Sequence, residues 1–133
     1  MSLIDFGWFS SHSGFQLPWK FDADFLSDED LESIAKILQW KFAFGHVFGV
    51  PTGGCRLAAA CQKHVTSGYP VLVVADVLTT GRSMEKFRGE IAQDHPGKPI
   101  IGSVIVGRGK CPDWVWPIFS VNEWAQSRAT GLG

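Results

Sequence analysis

Asp76 and the hydroxyl-rich turn behind it carry the strongest chemical signal in this sequence. In Val71-Leu-Val-Val-Ala-Asp-Val-Leu-Thr-Thr-Gly-Arg-Ser83, an apolar run of strand length delivers one acid at its carboxyl end. A turn containing Thr79, Thr80, Gly81 and Arg82 then enters a helix at Ser83. Backbone N–H groups at a helix start, joined by three hydroxyls, suit a phosphate monoester. Asp76 is placed to accept hydrogen bonds from the vicinal hydroxyls of a sugar beside that phosphate, and it is the one catalytic candidate. The plainer reading is a strand–turn–helix in which Ser83 caps the helix.

A second loop, Gly49-Val-Pro-Thr-Gly-Gly-Cys-Arg56, has the glycine spacing of a P-loop but continues Cys-Arg where Lys and Ser/Thr are required. An ATPase or GTPase reading therefore fails. Pro51, Thr52, Gly53 and Gly54 still join a strand to a helix, and glycine backbone can approach an anion closely. The alternative is a tight turn that needs glycine dihedrals. No Gly-x-Gly-x-x-Gly occurs, which disfavours a dinucleotide fold.

The elements that must hold these loops are legible. Ser27 is a good N-cap, Asp28, Glu29 and Asp30 fill a first turn, and Leu31, Ile34, Ala35, Leu38 and Phe42 repeat at helical spacing, predicting a helix over 28–42. The acidic run 22–32 is thereby helix-start chemistry and solvation rather than a metal site. A short strand begins at His46, and a helix follows over 56–65, with Lys63 and His64 in its exposed last turn. Strands at 70–75, 99–106 and 115–121 and a helix over 83–94 complete the pattern. Alternating strands and helices imply a parallel sheet with right-handed crossovers. Ligands bind such sheets at the strands' carboxyl ends, which puts both glycine loops at one edge.

The 133 residues make one domain, 1–133, large enough to bury a core without staples. Lys+Arg is 12 and Asp+Glu 13, a net charge of −1, which argues against binding nucleic-acid backbone. No segment is apolar enough to span a bilayer, and the start lacks the pattern of a signal peptide, so the expected location is cytoplasmic. Cys55, Cys61 and Cys111 are then expected to be reduced. Cys61-x-x-His64 has no second pair to complete a metal site, no motif makes Cys55 a nucleophile, and His12, His46 and His95 read as structural or exposed. Aromatics crowd both ends: Trp8, Phe9, Trp19 and Phe21, then Trp114, Trp116, Phe119 and Trp124. They either fill a small core or form an aromatic cover over a site.

Together these residues resemble the type I phosphoribosyltransferases. Val71–Ser83 looks like their signature for phosphoribosyl pyrophosphate, and Gly49–Gly54 like their pyrophosphate loop. Within the family the sequence is most similar to orotate phosphoribosyltransferases. Ser13–Asp22 is similar to the opening hood segment there, and Gly107-Arg108 resembles the Asp-Arg whose arginine holds an acidic base. The resemblance implies an α/β fold with a core over 43–121 and a hood segment over 1–25. It implies ribose-phosphate binding by Asp76, Thr79, Thr80, Gly81, Arg82 and Ser83, and pyrophosphate binding by Pro51–Gly54. Base binding would fall to Trp19, Lys20, Phe21 and Arg108.

The implied reaction is attack by a nitrogen base on C1 of the ribose, with pyrophosphate leaving through an oxocarbenium-like transition state. Mg²⁺ would come with the pyrophosphate substrate and not on a protein site of its own. The partners implied are phosphoribosyl pyrophosphate, a small acidic base such as orotate, and a second copy in a homodimer. Thr79 stands where the hypoxanthine-guanine relatives carry an acid serving as base, which suits an acceptor that is already acidic. Three departures bear on turnover. Ala75 replaces the first acid of the usual pair, the hood lysine expected near Gln16 is missing although Lys20 is close, and only residues 55–69 separate the pyrophosphate loop from the next strand. Relatives insert strands and a mobile basic loop there; of the cations left, Arg56 and Arg82 lie just past the two glycine loops, whereas Lys63, about two helical turns from Arg56, is expected to point away. A module that binds phosphoribosyl pyrophosphate or a nucleotide without turnover is the alternative, and a fold kept only as a partner surface is a further one.

Overall fold

The computed structural model describes residues 25–78 and 80–121 in full and, by backbone alone, two strands at 4–10 and 16–21. Those strands, β1 (Ile4–Ser10) and β2 (Gln16–Phe21), pair antiparallel with Phe6 opposite Trp19.

The first helix, α1 (Asp28–Lys41), starts in a reciprocal cap: Asp30 N donates to Ser27 Oγ at 3.0 Å and Ser27 N to Asp30 Oδ2 at 2.9 Å. Such a cap contributes about 1 kcal/mol. The acidic run thus does what its position at a helix start suggests. Leu31, Ile34, Ala35 and Leu38 form the buried face, while Phe42 turns extended and caps the helix.

Four strands form the main sheet in the order β3 (His46–Gly49), β4 (Val71–Leu78), β5 (Ile100–Arg108) and β6 (Val115–Val121), every neighbouring pair parallel. Between them lie α2 (Cys55–Cys61), which tightens into a 3-10 turn at Gln62–His64, and α3 (Arg82–Asp94). The second helix is therefore shorter than the 56–65 its sequence suggests. β4 is buried on both sides, as its unbroken apolar run requires. Leu72 and Val74 pack with α1 and with Leu57 and Cys61 of α2. Val71 and Val73 pack with Met84 and Ile91 of α3.

The two helical crossovers leave β4 on opposite faces, yet the strand order advances in one direction from β3 to β5. They are consequently of opposite hand. The expectation that both are right-handed, which parallel crossovers almost always are, holds for only one of them.

The link from β5 to β6 contains no helix. Residues 109–114 return along the α3 face of the sheet, where Cys111 and Trp114 pack beside Met84 and Val104. A parallel connection ordinarily needs a dozen residues or more. Two glycines of β5 make the short route possible. A Cβ on Gly102 would meet the Trp114 ring, and one on Gly107 would meet Cys111 Sγ and Pro117.

The cover of terminal aromatics does not extend to the described tryptophans. Trp114 packs on the α3 face, and Trp116 on the opposite face, edge-on to Phe42 with Lys41 Nζ 5.2 Å from its ring centre. Alternation along β6 sends Val115 to the α3 face and Trp116 to the other, while Trp114, in the loop before the strand, stays on the side of Val115. Phe119 remains exposed. Trp124, and the side chains of Trp8, Phe9, Trp19 and Phe21, lie outside what is described.

Candidate functional site

β4 runs past the end of its neighbour, and that overhang builds the site. Gly49, the last residue of β3, pairs with Val74, so Asp76, Val77 and Leu78 extend beyond it. The chain leaving β3 folds over this exposed end. Val50 N donates to Val74 O at 2.8 Å, and Gly54 N returns to Val50 O at 2.9 Å. A Cβ on Gly54 would strike Val74 O, and one on Gly53 would strike the Asp76 carboxylate. Both glycines are thus required by close approach, and the Pro51–Thr52 peptide between the strand and these glycines is cis. The loop 51–54 and Asp76, distant in sequence, are in direct contact. Pro51, Thr52 and Gly53 face solvent, whereas Gly54 is buried.

Asp76 is half-buried and its Oδ1 accepts from Val77 N at 2.8 Å. This fixes the carboxylate at the carboxyl end of β4. Ala75 points the other way, into the core under α3, with 5% exposure.

The turn after β4 reaches α3 through Gly81, at φ +81°, a left-handed conformation that glycine adopts without a Cβ penalty. Gly81 is the N-cap of α3 and supplies no side-chain bond. Ser83 therefore does not cap the helix; it sits in the first turn, exposed, as does Arg82. Thr80 Oγ1 accepts weakly from Arg82 N at 3.4 Å. The first-turn amides and the hydroxyls of Thr80 and Ser83 consequently cluster at one helix start, where the helix dipole favours an anion. Thr79 lies outside the described residues.

Arg108 ends β5 at this same edge of the sheet and is buried. The side chains of Trp19, Lys20 and Phe21 lie outside what is described; the backbone of Lys20 pairs with Asp5 in the β1–β2 ribbon.

Arg56, which the sequence offered to the glycine loops, pairs with α1 instead, and Lys63, expected to point away from those loops, does so. Arg56 Nη2 donates to Leu26 O at 3.0 Å and to Asp28 Oδ1 at 3.2 Å, which ties α2 to the start of α1. Lys63 Nζ lies 2.8 Å from Glu32 Oε2, and His64 Nε2 lies 2.9 Å from Glu32 Oε1. Lys63 is exposed, as expected of this turn, whereas His64 is half-buried, and both clamp α1 through Glu32. The bond from Lys63, and then that from His64, hold the Glu32 carboxyl below its ordinary value.

The cysteines are free thiols. Burial pushes the Cys61 thiol up to about 12, and burial also raises Cys111. Among the described residues no group of three or more His, Cys, Asp or Glu could hold a metal ion, and no helix is long and apolar enough to cross a membrane.

Sequence reasoning missed the packing of the 109–114 crossover on this site. Pro112 lies beside Gly81, and Trp114 Nε1 donates to Glu85 Oε1 at 2.7 Å in the first turns of α3. The signal was available: glycines at 102 and 107 inside a buried strand mark close approach of other groups.

No protein-family model and no curated protein sequence matches the chain. Solved structures do resemble it. Orotate phosphoribosyltransferase of Francisella tularensis superposes with a TM-score of 0.58 at 18% identity, over 98% of this chain and 86% of that one. The Mycobacterium tuberculosis orotate phosphoribosyltransferase, in complex with Fe(III) dicitrate, gives 0.60 at 16% identity over 88% of each chain. A Neisseria gonorrhoeae protein with bound ppGpp gives 0.53 at 15% identity, over 74% of this chain and 83% of that one. With two glycine loops at the carboxyl edge of a parallel sheet and orotate phosphoribosyltransferases among its structural neighbours, the chain has the type I phosphoribosyltransferase fold, in a shortened form similar to the orotate enzymes.

Proposed function

We propose that this protein binds phosphoribosyl pyrophosphate and transfers its phosphoribose to a small acidic nitrogen base of the orotate kind. The contact of Gly53 with the Asp76 carboxylate carries the reading. It supports a single ligand that offers a diphosphate to loop 51–54 and sugar hydroxyls to Asp76. The 5-phosphate then falls to Thr79, Thr80, Gly81, Arg82 and Ser83 at the start of α3.

In this reading the chain's own contribution is placement and charge. Amides of loop 51–54 bind the departing diphosphate, Asp76 orients the ribose, and the α3 start anchors the phosphate, so that C1 is held for in-line attack. The diphosphate enters as its Mg²⁺ complex, which supplies part of the charge neutralisation. Arg108, buried at the same edge, with Lys20, Trp19 and Phe21, would receive the anionic base. A homodimer could lend a further cation across its interface.

A second reading has one specific observation in its favour. Arg56 and Lys63 pair with Asp28 and Glu32 of α1. A non-catalytic module that binds phosphoribosyl pyrophosphate or a nucleotide needs no such cations, and the structural neighbour with bound ppGpp is a nucleotide-binding precedent for the fold.

Calorimetric titration with phosphoribosyl pyrophosphate and Mg²⁺, followed by pyrophosphate release with a panel of bases, separates the two. Binding with release driven by orotate and not by hypoxanthine or adenine supports the transferase. Binding without release for any base supports the module. Absence of binding overturns both.

A further inference from the structure

The first turn of α3 is held from outside the helix. Its N-cap, Gly81, has no side chain to bond the first-turn amides, and the one hydroxyl contact there is long. Support comes instead from the helix-free crossover at 109–114. Pro112 packs beside Gly81, and the Trp114 ring lies over Gly102, where a side chain would displace it. Trp114 O accepts from Gly102 N at 2.8 Å, and Pro112 O accepts from Val115 N at 3.0 Å, which fixes the loop on the sheet. From that anchored position Trp114 Nε1 donates to Glu85 Oε1 at 2.7 Å. Arg88 completes the arrangement, its Nη1 3.8 Å from Glu85 Oε2 and its guanidinium 4.8 Å over the Trp114 ring.

We infer that the Trp114–Glu85 bond is a positioning latch that holds the α3 first turn, and with it the amides of Arg82, Ser83 and Met84, in register with β4 and β5. The inference rests on the reading of that turn as the phosphate site. The bond has two physical consequences. It braces a helix start that has no capping side chain, so the amides stay aimed at one point instead of fraying. It also engages the Glu85 carboxylate with an indole on one oxygen and a guanidinium on the other. An acid one turn from a phosphate would otherwise repel it. Both effects act through other groups, so Trp114 and Glu85 are positioning residues and touch no ligand.

Three variants and two readouts test the latch. Trp114→Phe keeps the ring over Gly102 and removes the donor. Glu85→Ala removes the acceptor, and Glu85→Gln keeps an acceptor without the charge. Amide hydrogen exchange at Glu85 and the two residues after it, the first amides bonded inside α3 (Glu85 N donates to Gly81 O at 2.9 Å), reads the latch itself in the ligand-free protein. Calorimetric titration with ribose 5-phosphate reads its consequence. Trp114→Phe and Glu85→Ala should both speed exchange at these amides and weaken ribose 5-phosphate by about three- to tenfold, less than a direct hydrogen bond to a charged group because the effect is indirect. Glu85→Gln should keep slow exchange and retain or tighten binding. Unchanged exchange in Trp114→Phe overturns the latch, and so does identical behaviour of Glu85→Gln and Glu85→Ala. A wild-type chain that binds no ribose 5-phosphate overturns the phosphate reading instead, and the exchange results then still decide whether the latch exists.

Discussion

Gly53 lies against the carboxylate of Asp76 so closely that no side chain fits between them. The overhang of β4 beyond β3 creates the contact, and the bond from Val50 N to Val74 O holds the loop in place. Gly53→Ala must therefore displace either the loop or the acid. The expected outcome is a folded protein with its affinity for phosphoribosyl pyrophosphate lowered about tenfold or more, the equivalent of one charged hydrogen bond misplaced. Calorimetry beside circular dichroism checks it, and wild-type affinity would show that the loop and the acid do not share a ligand.

Asp76→Asn preserves an oxygen for Val77 N and removes the charge. A charge-assisted contact to sugar hydroxyls contributes about 1.5–3 kcal/mol, so ribose 5-phosphate should bind roughly tenfold or more weakly. Thr80→Val should also weaken it by removing a hydroxyl from the turn proposed to hold the phosphate. Equal affinity in both variants and the wild type would displace the sugar-phosphate site from this turn.

Arg56→Ala and Lys63→Ala should leave diphosphate affinity unchanged, because both cations are spent on α1. Their cost is to stability and is small, under about 1 kcal/mol each for pairs this close to solvent. Titration with pyrophosphate and Mg²⁺ measures the first quantity and denaturant unfolding the second. Loss of diphosphate affinity in either variant would mean that the side chain swings from α1 to the ligand.

The Glu32 clamp sets a dependence on pH. Lys63 and His64 hold the Glu32 carboxyl below its ordinary value of 4.5, so the folded chain keeps it ionised to lower pH than the unfolded chain does. A depressed carboxyl contributes stability above the unfolded value and loses it as pH falls through the folded value. The melting-temperature difference between wild type and Glu32→Gln should therefore be largest above pH 4.5 and shrink as the solution is made more acidic. A difference constant through that range would mean that the clamp contributes no charge-linked stability.

Local residue chemistry accounts for what was legible in the sequence. Ser27 and Asp30 define a helix start by capping each other, and a helical period brings Leu31, Ile34, Ala35 and Leu38 to one face. The unbroken apolar run at 71–75 announced a strand covered on both sides, and the structure buries every residue of it. Asp76 and the turn to α3 were recognisable because residue types at fixed offsets in one segment determine where an acid, a glycine and hydroxyls fall. The four parallel strands and the edge that gathers both glycine loops follow from the same local pattern.

What one segment presents to another was decided only by the tertiary structure. Nothing near Arg56 or Lys63 reveals that their partners are Asp28 and Glu32, about thirty positions earlier, because the choice between solvent, ligand and ion pair depends on where α1 docks. Trp114 and Trp116, two apart in sequence, reach opposite faces of the sheet because only Trp116 lies in β6, whereas Trp114 sits in the loop before it and packs with Val115 on the α3 face. The hand of the crossovers is likewise global. The short 55–69 segment allows β3 to join β4 directly with α2 on the face opposite α3, and the usual rule for strand–helix–strand units cannot report this. Sequence spacing fixes local geometry through backbone dihedrals, whereas the partner of each side chain is set by which surfaces meet when the elements pack, and that depends on all of them at once.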